Sequence, residues 1–230
     1  MPRLAAGAAA GRCCARAFPH EAPMYTLYAK PGWGSVVVEA QLDLAGLPYR
    51  IEAVEPRANA ADRERLARLN PLAQLPTLVL PGGRTMTESA AITLHIADRA
   101  PRSALVPPAG NPARDDFLRW LVFIVANIYP MFTVGDDPSR FVSDPAAQKE
   151  LRASTEDYKA RSWKILEAGI DPQPWLLGRT FSALDIYAGA MTHWRPGRDW
   201  FKDNCPKLHA LALAVDREPR LSQVWARNFP

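Results

Sequence analysis

Two short stretches of this chain carry residues suited to holding a peptide-like anion. In Leu69-Asn70-Pro71 followed by Gln74-Leu75-Pro76-Thr77-Leu78, a proline stands at the entrance to a strand. Proline donates no ladder hydrogen bond, so it suits a strand start or edge, and a cis peptide there turns the N–H and C=O of Leu75 outward to pair with a ligand backbone. In Thr87-Glu88-Ser89-Ala90-Ala91-Ile92, a polar pair opens a helix. Free N–H groups in a first helical turn, backed by the positive end of the helix dipole, hold a carboxylate. A third motif is structural. Ser182 and Asp185, flanked by Phe181 and Ile186 and preceded by Gly178, form a capping box with a hydrophobic staple.

The other reactive side chains give no second centre. His20 lies in the N-terminal extension, His95 within the apolar helix that begins near Glu88, and His193 and His209 are far from any carboxylate or cysteine motif, so no metal site is expected. Cys205, just before Pro206 at a helix start, is where a dipole lowers a thiol pKa, but it reads as a packing or surface cysteine. Cys13 and Cys14 are adjacent, and three cysteines without a C-x-x-C give neither a disulfide framework nor a zinc site. A reducing, cytoplasmic setting fits.

Elements must position these motifs. Met24 to Tyr28 reads as a strand, broken at Pro31-Gly32, with Ser35 as N-cap of a helix that carries Val37, Ala40 and Leu44 and stops at Gly46. Tyr49 to Val54 is a second strand and Ala60 to Leu69 a charged helix. Thr77 to Leu80 and Arg84 to Thr87 are strands joined through Pro81-Gly82-Gly83, and Glu88 to Ala97 is a third helix. Beyond Asn111 strand signals vanish: helices are expected at about 112 to 132, 145 to 168, 183 to 194, 207 to 216 and 220 to 227. An α/β unit over 24–100, a proline-rich linker over 101–111 and an all-helical unit over 112–230 follow. Residues 1–23, rich in Ala and Arg, read as a disordered extension or an artefact of an upstream start, with Met24 as the natural beginning.

Composition excludes several classes. With 230 residues, 48% hydrophobic and 23% charged, the chain supports a packed core. Its 28 basic and 24 acidic residues alternate, as in Asp62-Arg63-Glu64-Arg65, so no nucleic-acid surface is expected. The apolar run Trp120 to Ile128 falls short of a bilayer span, and no membrane association is expected.

The motifs in this order, over Met24 to about Phe229, resemble the cytosolic glutathione transferase family, bacterial-like in type. The resemblance implies a thioredoxin-like N-terminal domain, an α-helical bundle behind it, and a homodimer. It makes Pro76 the cis proline and Leu75 the backbone partner of glutathione, while Glu88 and Ser89 receive the γ-glutamyl end. Glutathione is then a co-substrate and no further cofactor is implied. The capping-box helix is the family's folding signature.

The implied chemistry is thiol activation. Free glutathione has a thiol pKa of about 8.5, and only the thiolate attacks. One hydroxyl donor together with a helix N-terminus lowers that pKa by a unit for about 1.4 kcal/mol of preferential stabilisation. The resemblance offers two donors, Ser35 in the loop before the first helix and Tyr28 in the first strand; the place where cysteine-type bacterial members carry Cys is Gly34 here. Ser35 also reads as a helix cap and Tyr28 as a packing residue, and Trp33 either shapes the thiol pocket or packs against the helical unit. By the same resemblance Trp120, Phe123 and Asn127 line a pocket for a small apolar electrophile. The expected function is a glutathione transferase, and a non-catalytic relative that keeps the fold as a binding or assembly module is the alternative.

Overall fold

The computed structural model describes residues 24–230, so the extension expected over residues 1–23, with Cys13, Cys14 and His20, lies outside the described residues. A four-stranded mixed sheet of order β2-β1-β3-β4 begins the fold. Its central strand β1 (Tyr25–Ala29) runs parallel to β2 (Tyr49–Ala53) and antiparallel to β3 (Thr77–Val79), which pairs in turn with β4 (Thr85–Met86). Leu27, opposite Ile51 on one side and Leu78 on the other, is fully buried.

Between β1 and β2, α1 (Ser35–Leu44) is buried on every side from Ser35 to Leu42, with Val36, Val37, Val38, Ala40 and Leu42 in the core. Such a helix belongs inside a core rather than on a surface. It packs against β1, against α3 (Ser89–Arg99), and against two helices from the far half of the chain. Helix α2 (Ala60–Ala67) is the exposed one: it buries Leu66, is N-capped by Asn59 at Ala61 N (3.0 Å), and reaches the Ala53 carbonyl of β2 through Arg65 (3.0 Å).

After the 3-10 turn Pro101–Ser103 every regular element among the described residues is helical. Helix α4 (Ala113–Phe123) continues through a π-helical turn, Ile124–Ile128, into α5 (Tyr129–Asp136). By length and composition this run, 113–136, could cross a membrane. It behaves as a core helix instead, with Phe117, Trp120, Leu121, Ile124, Ile128 and Phe132 buried. Helix α6 (Pro145–Gly169) packs along α5. Helix α7 (Ala183–Met191) is buried at every position and touches α1, α4 and α9 (Pro206–Asp216). The expected capping box starts α7: Ser182 N donates to the Asp185 carboxylate at 2.7 Å, and Leu176 N donates to its other oxygen at 2.7 Å.

Two helices close the molecule. The sequence shows no signal for α8 (Arg198–Asn204), whose seven residues bury only Phe201 and lie between Pro196-Gly197 and Cys205-Pro206. Helix α10 (Ser222–Asn228) lies on α1, where Arg227 grips the buried Glu39 through Nε and Nη2 at 2.9 and 2.8 Å and Asn228 Nδ2 donates to the other carboxylate oxygen at 2.9 Å.

Candidate functional site

A cleft of about 790 Å³ lies between the α/β half and the helical half. The first half lines it with Gly32, Trp33 and Gly34 at one end, and with Leu75, Pro76, Glu88 and Ser89 along one wall. The opposite wall comes from α5 and the segment after α7, with Tyr129, Phe132, Thr133 and Trp194. Four of the expected ligand-binding residues and Trp33 therefore meet in one place.

Each wall is braced locally. The Leu75-Pro76 bond is cis. Asn70, buried, ties the loop before it: its side chain donates to the Gln74 carbonyl (3.0 Å) and Thr77 Oγ1 (3.2 Å) and accepts from Leu72 N (3.1 Å). The Asn-Pro and Gln-Leu-Pro-Thr pieces thus form one self-bracing loop. Glu88 has φ +65°, a conformation that costs a non-glycine residue about 1–3 kcal/mol and that gathers at ligand sites. Its carbonyl accepts from Ile92 N at 2.9 Å, starting α3, while its side chain caps nothing. Ser89, mostly buried, opens that helix, and Glu88, Ser89 and Ala90 line the cleft at its start, where first-turn N–H groups have no partner within the helix. Behind them Thr93 donates to the Ser89 carbonyl (2.9 Å), and the Tyr187 hydroxyl of α7 lies 3.3 Å from Thr93 Oγ1. Burial pushes the Tyr187 phenol up to about 12, with hydrogen bonds from Ser89 and Thr93 opposing.

The loop holding Trp33 is fixed from the helical half. Gly32, at φ +72°, donates its N–H to Asn228 Oδ1 (3.2 Å) and accepts at its carbonyl from the Trp194 indole N–H (2.6 Å). A left-handed turn of this kind suits glycine. The Trp33 ring lies between the Lys30 ammonium (4.6 Å) and the Arg57 guanidinium (4.7 Å), and Arg57 reaches Asp136 of α5 at 3.0 Å. Trp33 therefore faces the cleft.

The two expected donor residues, Ser35 and Tyr28, do not line it. Ser35 is neither N-cap nor cleft-lining: Gly34 holds the cap position, and the Ser35 hydroxyl turns back to donate to the Lys30 carbonyl (3.1 Å) and accept from Lys30 N (3.2 Å). Buried to 1% exposure, it fastens the end of β1 to the start of α1. Tyr28 is half-buried with the Arg65 guanidinium of α2 over its ring at 5.5 Å, away from the cleft lining. The expected electrophile residues are also elsewhere. Trp120 is 3% exposed and fills the space over Gly169 of α6, with Phe123 edge-on at 5.5 Å. Asn127 accepts from the Tyr158 hydroxyl of α6 at 2.9 Å. Val125, inside the π turn, and Tyr129 and Pro130, directly after it, meet the cleft instead.

Tyr129 is the residue that sequence reasoning missed. Its hydroxyl is buried, has no hydrogen-bond partner among the described residues, and lies against Gly34. No local pattern marks it; a Tyr-Pro after an apolar run is the single trace. Cys205 is fully buried, and burial together with the Glu167 carboxylate pushes its thiol up to about 12, which makes it a packing cysteine.

Comparison with known proteins follows the same lines. A sequence profile of the glutathione S-transferase N-terminal domain matches residues 37–99. An Escherichia coli (strain K12) protein, the uncharacterized GST-like protein YncG, is 40% identical over 206 residues, covering 89% of this chain and 98% of its own. A glutathione transferase homologue from Sulfitobacter with bound glutathione superposes with a TM-score of 0.78 at 22% identity, over 91% of this chain and all (100%) of that one. A sphingomonad glutathione S-transferase complexed with glutathione gives 0.71 at 25% identity, over 89% and 100%. The thioredoxin-like sheet, the helical region behind it and a relative this similar over nearly its whole length carry one conclusion: the chain belongs to the glutathione S-transferase family.

Proposed function

We propose that this protein is a glutathione transferase that binds glutathione against Leu75, Pro76, Glu88 and Ser89 and activates its thiol as thiolate for attack on a small apolar electrophile. One observation carries the reading. The strained Glu88 backbone and the open first turn of α3 face the same cleft as the Leu75 main chain, so a site for a carboxylate and a site for an extended peptide lie side by side. The glutathione homologues solved with this ligand support it. Beyond the peptide site the cleft offers Val125, Phe132 and the exposed Phe141, an apolar surface on which an electrophile rests. Conjugation, reduction and isomerisation all begin from the same thiolate.

Calorimetric titration with glutathione tests the site. Replacing Glu88 and Ser89 together by Ala weakens binding by about 1–3 kcal/mol for each buried ligand group left unpaired. Unchanged affinity in the double variant would remove the site. A second reading, a non-catalytic binding or assembly module, draws on the placement of Ser35, whose hydroxyl is bound to Lys30, and of Tyr28, which does not line the cleft. Turnover of a generic aromatic halide separates the two: glutathione binding without conjugation would favour the module.

A further inference from the structure

We infer that the Tyr129 hydroxyl, delivered from the helical half of the cleft, is the group that hydrogen-bonds the glutathione sulfur and holds it as thiolate in place of any side chain at Gly34. The inference rests on the glutathione site proposed above and names its catalytic donor.

Geometry around Gly34 is the starting point. A Cβ built on this residue would stand 1.8 Å from the Tyr129 hydroxyl oxygen, 3.0 Å from the ring carbon bearing it, and 3.2 Å from the Leu75 carbonyl oxygen. The Gly34 backbone, at φ −56° and ψ −17°, is ordinary and demands no glycine. What demands glycine there is the phenol. Tyr129 occupies the volume into which a side chain at position 34 would project, at the turn into α1 and beside the strand entrance that receives the peptide.

That hydroxyl is also unsatisfied. It is closed off from water and has no partner among the described residues, a rare state for a buried polar atom. A cysteinyl residue whose main chain pairs with Leu75 puts its sulfur over Gly34, where no Cβ intervenes, and supplies the missing acceptor. The ring is fixed for this purpose. The π turn ends at Ile128, directly before Tyr129, and the ring packs edge-on against Trp194 at 5.6 Å, the same indole that holds the Gly32 carbonyl. π turns concentrate at functional sites. Burial, with the Tyr187 hydroxyl as a smaller influence, moves the Tyr129 phenol far above the ordinary tyrosine range, so it keeps its proton and donates.

The step balances simply. The thiol proton leaves to solvent, its electron pair stays on sulfur, and the Tyr129 O–H donates to that sulfur without transferring its own proton. The sulfur pair then forms the C–S bond, and the leaving group departs with the electrons of the bond that breaks.

The test follows the pKa of enzyme-bound glutathione by ultraviolet thiolate absorbance, alongside its dissociation constant. In the wild type the bound thiol titrates at least about one unit below the free value of about 8.5. Tyr129→Phe raises that pKa by about one unit while leaving the dissociation constant within about threefold, because the ring stays and only the donor goes. The variant folds, since it removes an unpartnered oxygen, and its melting temperature equals or exceeds that of the wild type. A lowered pKa retained in Tyr129→Phe overturns the inference and leaves the glutathione site standing, as does an unshifted thiol in the wild-type complex. A wild type that binds no glutathione overturns both.

Discussion

Asp185 does more than start a helix. Its carboxylate accepts from Ser182 N, from the Ser182 hydroxyl (3.1 Å) and from Leu176 N, so it joins α7 to the loop before it while fully buried. Burial pushes its pKa up to about 6, and the hydrogen bonds that favour the anion offset only part of this. The folded chain therefore binds this proton more tightly than the unfolded chain does. Stability from this group is greatest in acid and declines as pH rises from about 4 through about 6. Asp185→Ala is expected to cost about 1–3 kcal/mol through unpaired buried donors. It also removes the titration, so the melting-temperature gap between wild type and variant is wider near about pH 5 than near about pH 7.5. Thermal melts at the two pH values check this, and a gap that narrows in acid would contradict it. Glutathione affinity of the folded variant stays within a few fold, since Asp185 does not line the cleft.

At the scale of elements, the contact between Trp194 and the loop of Gly32 is the most exposed to test. Trp194→Phe keeps an aromatic ring against Tyr129 and Phe132 but deletes the indole N–H that donates to the Gly32 carbonyl. The expected cost is about 1 kcal/mol of stability, and faster amide hydrogen exchange confined to residues 30–35. Exchange unchanged in that loop would mean that Asn228 alone fixes it. This pairing also shows what sequence could and could not reveal. Strands, most helices, the Leu75-Pro76 wall and the Glu88-Ser89 turn were legible because each is a local pattern: a proline at a strand entrance, a polar pair before a helix, alternation or 3.6-residue recurrence. Helix α8 was not, because its single buried residue, Phe201, leaves no periodicity to read. Nor was the π turn, which changes the register of the residues after it without changing composition; the family resemblance that points to Trp120, Phe123 and Asn127 carries no sign of it. Tyr129 stayed hidden for a related reason. Its significance depends on Gly34, from another half of the chain, and each of the two residues is unremarkable by itself.

For the whole molecule, we expect two copies to associate. The expectation follows from the family resemblance, and Val122 and Ile165, left 58% and 48% exposed, are apolar side chains outside the cleft. Light scattering at micromolar concentration should report about twice the 25.4 kDa of one chain, and a monomer mass would refute the expectation. A different consequence follows from Gly32, whose N–H and C=O are both held by side chains encoded far downstream, Asn228 and Trp194. A gene segment for the sheet and its first helices carries the Leu75 and Glu88 main chain, yet not the two side chains that set the loop beside them. Recombination that joins this half to another relative's helices keeps both bonds to the loop only where the recipient offers an indole N–H and an amide oxygen at the same two places. Chimeras cut between α3 and α4 exchange Trp194 and Asn228 along with the rest of the helical wall, and are expected to show faster amide exchange at residues 30–34 unless the new helices supply both groups.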